Sequence, residues 1–327
     1  MSKSGFVAAT IALMTAMAAS AQEPQSSGQS PQQPSVFRAR TSLVALNVLV
    51  TDLKKQHTNG LRREDFEIYE DGVRQDVEFF ATAEVPLDLI LLVDASSSMG
   101  DKMPLVHKAA SGFIKTMRPE DRAAVVSFAD GVQVLQPLTG DRALVQTAID
   151  RMQARGATAL HNAVYVALKQ FGRSAADAGQ VRRQAIAVLS DGEDTASVIS
   201  FDDVLDMAKR SGVSIYTIGL RSQYDAAAST GRRYFSQSDF AMKTLAAETG
   251  AAPFFPDSAN DLGQVYATIA SELASQYSLG YVSRNGRDDG KYRRVVVRVA
   301  NRPELRPRTR TGYFLSVDSI ASRQEPR

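Results

Sequence analysis

The sequence predicts an α/β fold in which a doubly wound, mostly parallel sheet is inserted into a small β-sandwich. Between about residues 85 and 277, short apolar runs alternate with amphipathic segments of helical period. Such alternation is typical of a parallel sheet that helices cover on both faces. The flanks on either side contain only strand patterns, and neither is large enough to bury its own apolar face. We therefore expect the N- and C-terminal flanking strands to pair into one sandwich.

The domain organisation follows from these patterns and from the composition of the two ends. Lys3, an apolar stretch over residues 5–19 and the small residues 19–21 predict a cleaved signal peptide. A membrane anchor is the less favoured alternative, because polar residues interrupt the roughly 18 apolar residues that it needs. The predicted segments are a signal peptide (1–21), a disordered leader (22–40), an N-terminal β flank (41–84), the α/β domain (85–277), a C-terminal β flank (278–316) and a tail (317–327). We expect a secreted or periplasmic protein.

Individual elements are predicted from periodicity and turn residues. Pro104 suits the first turn of a helix that continues to Met117. An Asp71-Gly72 turn predicts a hairpin with arms over 66–70 and 73–80. Further strands are predicted over 43–51, 89–93, 123–128, 132–135, 185–189, 213–218, 277–283, 292–300 and 310–315. Further helices are predicted over 160–171, between the strands at 185 and 213, and over 262–277.

Composition excludes several classes of function. The 327 residues contain no cysteine, which rules out disulfides, thiolate metal sites and cysteine nucleophiles. Lys and Arg number 38 against 36 Asp and Glu, so the charge balance does not indicate nucleic-acid binding. Arginines cluster at 302, 306, 308 and 310, where they alternate with Pro and apolar residues; we interpret them as a solvated strand face.

Oxygen-bearing side chains follow two apolar strands and precede one helix. Asp94, Ser96 and Ser98 come directly after the first strand of the α/β region, and Asp191 comes after a later one. Thr158 stands at the start of a predicted helix. Ligands of such sheets bind at the carboxyl ends of the strands, and Mg²⁺ prefers oxygen ligands. The pattern predicts a divalent-cation site.

This set resembles the metal-ion-dependent adhesion site of von Willebrand factor A domains. The matching residues are Asp94-x-Ser96-x-Ser98, Thr158 after a loop that contains Gly156, and Asp191 followed by Gly192. The resemblance implies that all five side chains bind Mg²⁺, or Mn²⁺ or Ca²⁺, directly or through water. It also implies that a protein partner presents Asp or Glu to the open coordination position.

The flanks resemble those of bacterial exported proteins related to the same domain family. The matching segments are Val50-Thr51-Asp52, Glu64-Asp65-Phe66-Glu67 and Arg310-Thr311-Gly312-Tyr313. This likeness favours the inserted arrangement of the α/β domain.

The resulting hypothesis is an exported, metal-dependent adhesion or interaction module without catalytic activity. With only two carboxylates near the ion and neutral hydroxyls at the other positions, an acidic partner gains a charge-charge contact that the protein leaves unmade. One alternative is a structural subunit of an envelope assembly whose metal site only stabilises the fold. Another is a Mg²⁺-dependent hydrolase, although the sequence has no Gly-x-x-x-x-Gly-Lys loop and no Gly-x-Ser-x-Gly elbow.

Three features near the motif have less specific roles. We expect Asp101 to be solvent-exposed and His161 to be a surface or capping residue. The polar residues 221–237 predict a loop at the same rim, which either sets partner specificity or is an insertion without that role. We also hypothesise that partner binding shifts the helix predicted over 262–277.

Overall fold

The structure is a computed structural model that describes residues 43–82, 85–174, 182–220, 236–285, 287 and 289–314, without the side chains of 172–174. The predicted signal peptide, leader and tail lie outside the described residues, as does nearly all of the predicted loop at 221–237. The strands are β1 (Leu43–Thr51), β2 (Phe66–Glu70), β3 (Val73–Gln75), β4 (Phe79–Ala81), β5 (Leu87–Asp94), β6 (Arg122–Phe128), β7 (Val132–Thr139), β8 (Arg183–Ser190), β9 (Ser214–Gly219), β10 (Pro253–Phe254), β11 (Tyr277–Val282), β12 (Tyr292–Val299), β13 (Arg306–Arg308) and β14 (Gly312–Phe314). The helices are α1 (Met103–Lys115), α2 (Arg142–Asp150), α3 (Leu160–Ser174), α4 (Phe201–Ser211), α5 (Gln237–Glu248) and α6 (Leu262–Ala274), with 3₁₀ turns at Arg63–Asp65, Ser97–Lys102 and Ala259–Asp261.

The central sheet has the strand order β10-β9-β8-β5-β6-β7. Its pairs are parallel except for β6 and β7, which are antiparallel. Every residue of β5 is buried, because helices cover the sheet on both sides. Leu89, Leu91 and Val93 pack toward α1, α2 and α6. Ile90 and Leu92 pack toward α3, α4 and α5. The predicted fold class is confirmed.

Each sheet of the sandwich contains strands from both the N-terminal and the C-terminal flank. In one sheet, β1 from the N-terminal flank pairs with β11 and β13, and β11 also pairs with β4. In the other, β12 pairs with β14 and with the N-terminal β2, which continues to β3. The two sheets bury a shared apolar core that includes Leu46, Val48, Ile68, Leu279 and Val297. Neither flank could form this core alone.

The predicted second arm of the hairpin, over 73–80, is wrong. Only Val73–Gln75 pairs with β2. Phe79–Ala81 crosses to the other sheet and pairs with β11. The crossing is required because the chain must leave the hairpin sheet to enter β5, and the apolar pattern alone carries no sign of the change of sheet.

The predicted helix over 262–277 is too long at its C-terminal end. Helix α6 ends at Ala274, and Tyr277 begins β11. The Tyr277 hydroxyl accepts a hydrogen bond from the Leu61 amide (3.1 Å) and donates one to the Thr58 carbonyl (3.0 Å). Tyr277 therefore belongs to the sandwich core, although its spacing continues the apolar stripe of the helix.

Helices α2 and α5 and the short strands β10 and β13 are absent from the sequence prediction. Both helices begin with an N-cap residue of a type that the sequence alone can indicate. Asp141 accepts hydrogen bonds from the amides of Ala143 and Leu144, and Ser236 accepts one from Asp239 within a capping box. Short apolar stripes made these helices hard to recognise, since α2 buries only Val145, Ala148 and Ile149.

The interpretation of the C-terminal arginines is half right. Arg302 and Arg306 are exposed. Arg308 instead forms an ion pair with Glu272, and Arg310 donates to the Ala45 carbonyl (2.9 Å). Both are partly buried, because strand β13 and the segment after it pack against the α/β domain.

A buried carboxylate links the two sheets of the sandwich. Glu70 is 2% exposed and accepts hydrogen bonds from the hydroxyls of Tyr281 (2.8 Å), Tyr313 (2.9 Å) and Ser283 (2.6 Å). Arg293, also 2% exposed, supplies the compensating charge at 3.3 Å. Burial and the bond to Glu70 raise the pKa of Tyr313. The Gly-Tyr of the terminal motif is thus structural, and a Cβ on Gly312 would clash with the Arg293 carbonyl.

We expect Glu70→Gln to destabilise the protein by about 3 kcal/mol, because the substitution removes the nearer counter-ion of the buried Arg293 and leaves it only the more distant Asp289 carboxylate at 3.8 Å. Tyr313→Phe removes one hydrogen bond to the carboxylate and costs about 1 kcal/mol. Urea unfolding of each variant measures both effects. Glu64→Gln is the control, since its exposed carboxylate forms an ion pair with the exposed Arg62 on the surface. Equal stability of Glu70→Gln and this control would contradict the assignment.

Candidate metal centre

Three loops meet at one edge of the central sheet. Strands β5 and β8 are parallel neighbours with Val93 opposite Leu189, so Asp94 and Ser190 end side by side. The loop before α3 is tied to the loop after β5 by two backbone hydrogen bonds, from Arg155 N to Ala95 O (2.6 Å) and from Ser97 N to Gly156 O (3.0 Å). The sheet topology therefore brings together segments that are about a hundred residues apart in the chain.

Asp94 lies at the base of this site and is fully buried. Its Oδ1 accepts from the Ser96 amide (2.8 Å), and its Oδ2 accepts from the Ser190 hydroxyl (2.5 Å). Burial raises the pKa of Asp94, and the nearby Asp191 charge adds to the increase, while the bonds from Ser190 and Ser96 oppose it. A cation beside Asp94 would stabilise its ionised form.

Two serines and the second carboxylate form a continuous row of oxygens. Ser96 Oγ is 3.0 Å from Ser98 Oγ, and the Ser98 hydroxyl donates to Asp191 Oδ1 at 2.8 Å. Ser96 is buried whereas Ser98 is exposed. Asp94 adjoins the buried end of this row through the Ser96 amide, and the Asp191 side chain is inaccessible to solvent, so the site is open at Ser98.

Thr158 approaches the row from the loop before α3. Its carbonyl accepts from the amides of Thr195 (2.9 Å) and Ala196 (3.0 Å), which binds it to the loop after β8. Thr158 Oγ1 faces Gly192, where an added Cβ would be 3.6 Å away. Thr158, the fifth predicted ligand, therefore lies beside Gly192, the residue that follows Asp191 in the chain.

These residues fit a hard divalent cation. Two carboxylates and three hydroxyls supply only oxygen atoms, which Mg²⁺, Mn²⁺ and Ca²⁺ accept. A positive group already lies against this set: the Lys102 ammonium forms an ion pair with Asp191 and donates to the Ser98 carbonyl (3.3 Å). Across the part of the chain that the structure describes, no three His, Cys, Asp or Glu side chains cluster as a metal site, so the hydroxyls are essential to this assignment.

Several residues that shape the site were not assigned by the sequence analysis. Ser190 orients Asp94, and Lys102 neutralises Asp191. Asp130 accepts from the Ala157 amide at 2.5 Å. It also packs so closely on Gly156, whose φ is +80°, that a Cβ there would clash. The Gly in the loop before Thr158 is thereby explained.

Asp194 fixes the start of α3 and hence the position of Thr158. It accepts from the amides of His161 (2.8 Å) and Ser197 (2.9 Å). Burial raises the pKa of Asp194, but these hydrogen bonds outweigh it and lower the pKa overall. The His161 ring lies near Asp194, packs against Phe201 and is only 19% exposed, and Asp194 rather than His161 supplies the capping group, so the expectation of a surface or capping residue is not met. Asp101 is exposed, also as expected.

The fold agrees with the comparison to known proteins. The family model of the von Willebrand factor type A domain matches residues 88–265, and the chain belongs to this family. Domains of this family commonly mediate protein interactions.

Individual relatives are distant. An uncharacterised protein of Borreliella burgdorferi is 28% identical over 145 residues, which cover 41% of each chain. A UPF0353 protein of Mycolicibacterium gilvum is 24% identical over 77% of this chain and 75% of its own. The von Willebrand factor type A structure from Catenulispora acidiphila has a TM-score of 0.48 at 12% identity, covering 86% of this chain and 74% of that one. The chain spans 41% of the first relative and about a quarter of two others.

We expect Lys102→Met to bind Mg²⁺ roughly tenfold more tightly than the unaltered protein, because the ammonium no longer repels an ion beside Asp191. Isothermal titration calorimetry with MgCl₂ measures the dissociation constants. Lys108→Met is the matched control, since Lys108 is an exposed lysine on the neighbouring helix α1. The same affinity in both variants would show that Lys102 does not act on the site.

Proposed function

We propose that this protein is an exported binding module that captures an acidic group of a protein partner through a divalent cation. Asp94, Ser96, Ser98, Thr158 and Asp191 hold the cation, directly or through water. When bound, the ion supplies a Lewis-acidic position that accepts a carboxylate oxygen of the partner. The proposal assigns a binding role and no catalytic one.

The observation that carries this proposal is the cluster of oxygens between buried Asp94 and exposed Ser98: Asp94 accepts from the Ser96 amide, and the hydroxyls of Ser96 and Ser98 and the Asp191 carboxylate follow in hydrogen-bond contact. The buried end anchors the ion, and the exposed end leaves room for a ligand from outside the chain. The set contains only two carboxylates, and Lys102 already pairs with one of them, so a bound dication keeps a net positive charge that attracts an acidic partner. The hydroxyl ligands preserve the attraction between the ion and an acidic partner because they add no negative charge.

A secreted or periplasmic location completes the proposal and rests on the predicted cleavage after Ala21. Within the described residues, no helix has the length and apolar character needed to span a bilayer. The proposed partner is a protein that meets this chain outside the cytoplasm.

The central experiment is partner capture with and without metal. Immobilised full-length protein is incubated with the extracellular or periplasmic fraction in MgCl₂, washed and eluted with EDTA. We expect a defined set of proteins to elute with chelator from the unaltered protein and to be lost from Asp94→Ala and from Ser96→Ala/Ser98→Ala. Asp101→Ala, which removes an exposed carboxylate from the same 3₁₀ turn, should retain them. Equal capture by all variants would refute the proposal.

A melting experiment separates partner binding from a purely stabilising metal site. If the ion only holds the fold, EDTA lowers the melting temperature and no interaction depends on metal. If the proposal holds, metal-dependent capture accompanies whatever stabilisation the ion provides. Differential scanning fluorimetry of the same variants supplies this comparison.

A further inference from the structure

A cavity of about 370 Å³ lies between the sandwich and the amino-terminal end of the central sheet. Its walls come from the start of β1, the start of β8, the end of α4, and strands β11 and β14. This is the opposite end of the sheet from the candidate metal centre. Strand β8 connects the two ends, and its eight residues span roughly 23 Å.

The charged residues that line this cavity are all positive. Four arginines line it, at positions 182, 183, 210 and 310, and none of its lining residues is Asp or Glu. Arg182 is paired with Asp88 at 2.7 Å. Within the described structure, no carboxylate lies in salt-bridge distance of the other three: Arg183 donates to the carbonyls of Val85 and Leu273, and Arg310 to that of Ala45. The cavity therefore has an excess of positive charge.

Two buried polar atoms at this cavity lack hydrogen-bond partners. Ser278 is only 7% exposed, and its hydroxyl has no partner; neither has Nε of Arg310. The side chain of Ser278 lies on the outer face of its sheet, because its neighbours Tyr277 and Leu279 point into the sandwich core. A buried donor without an acceptor is unfavourable, so an acceptor in this cavity would be favoured.

An apolar surface adjoins these donors. Leu43 and Phe79 also line the cavity, and both are large apolar side chains that remain exposed, by 51% and 36%. They flank Gly280, where an added Cβ would be 3.0 Å from each of them. Gly280 therefore places no side chain between Leu43 and Phe79. Cavities of this kind, mostly apolar with a few fixed polar groups, are typical of small-molecule sites.

The geometry points to a second binding site, for a small amphiphilic anion with a carboxylate or phosphate head group and a short alkyl chain. The head group accepts from Ser278 and Arg310 and is attracted by Arg183 and Arg210. The alkyl chain packs against Leu43 and Phe79. This site is independent of the divalent cation and of the proposed partner.

Isothermal titration calorimetry on the full-length protein in EDTA tests the site, with decanoate and decyl phosphate as probes below their micellar concentrations. We expect saturable binding of at least one probe, weakened at least tenfold in Arg310→Gln and Arg210→Gln. Ser278→Leu, which projects apolar bulk into the cavity, should abolish binding. The controls are Arg302→Gln, which removes an exposed arginine of the same sandwich, and Asp94→Ala, which alters only the metal centre; both should bind normally.

Specific outcomes would overturn this inference. Binding of neither probe would do so, as would equal binding in the cavity variants and the Arg302 control. Equally strong binding of uncharged octyl glucoside would exclude recognition of the anion. Because Arg310→Gln also removes a bond to the Ala45 carbonyl, its melting temperature is measured in parallel. Ser278→Ala, which loses only an unpartnered hydroxyl, provides a second test in a variant expected to fold normally, with weakened binding expected.

Discussion

The parallel pairing of β5 with β8 is the constraint on which the candidate site depends. These strands are central and buried, and their register sets Val93 opposite Leu189. Any residue that follows one strand must therefore lie close to the residue that follows the other. Asp94 and the loop with Asp191 obtain their proximity from the main chain, and Ser190 and Ser98 then adjust the carboxylates by hydrogen bonding.

The fold class could be predicted because apolar period and strand length were unambiguous in the central sheet. Strand β5 is buried on both faces, so its sequence is continuously apolar. The points at which the chain crosses from one sheet to another were not predictable from apolar period. The break after Gln75, which sends Phe79 to the other sheet, follows from the path of the chain and leaves no periodic signal. The spacing of Tyr277 fits both the end of the predicted helix and the start of the predicted strand over 277–283, and its contacts in the sandwich confirm the strand.

The candidate site was predictable where residue type alone indicates chemistry. Asp94, Ser96, Ser98 and Asp191 carry oxygen donors in a specific spacing, and the structure joins them by hydrogen bonds. The supporting residues were not predictable, since Asp130 and Asp194 act on backbone amides of a distant loop. Such contacts depend on three-dimensional proximity. Lys102 is a similar case, because its charge matters only once Asp191 lies beside it.

The attachment of the α/β domain has a mechanical consequence. Both of its connections leave from neighbouring strands, with Ala81 of β4 opposite Ser278 of β11. A pull on the domain along β11 loads the antiparallel ladder with β1, whose six residue pairs run from Val48–Tyr277 to Leu43–Val282. Ladder hydrogen bonds lie perpendicular to the strands, so this load is a shear that all of them share at once. Under tension, the sandwich would resist detachment until the whole ladder slipped together.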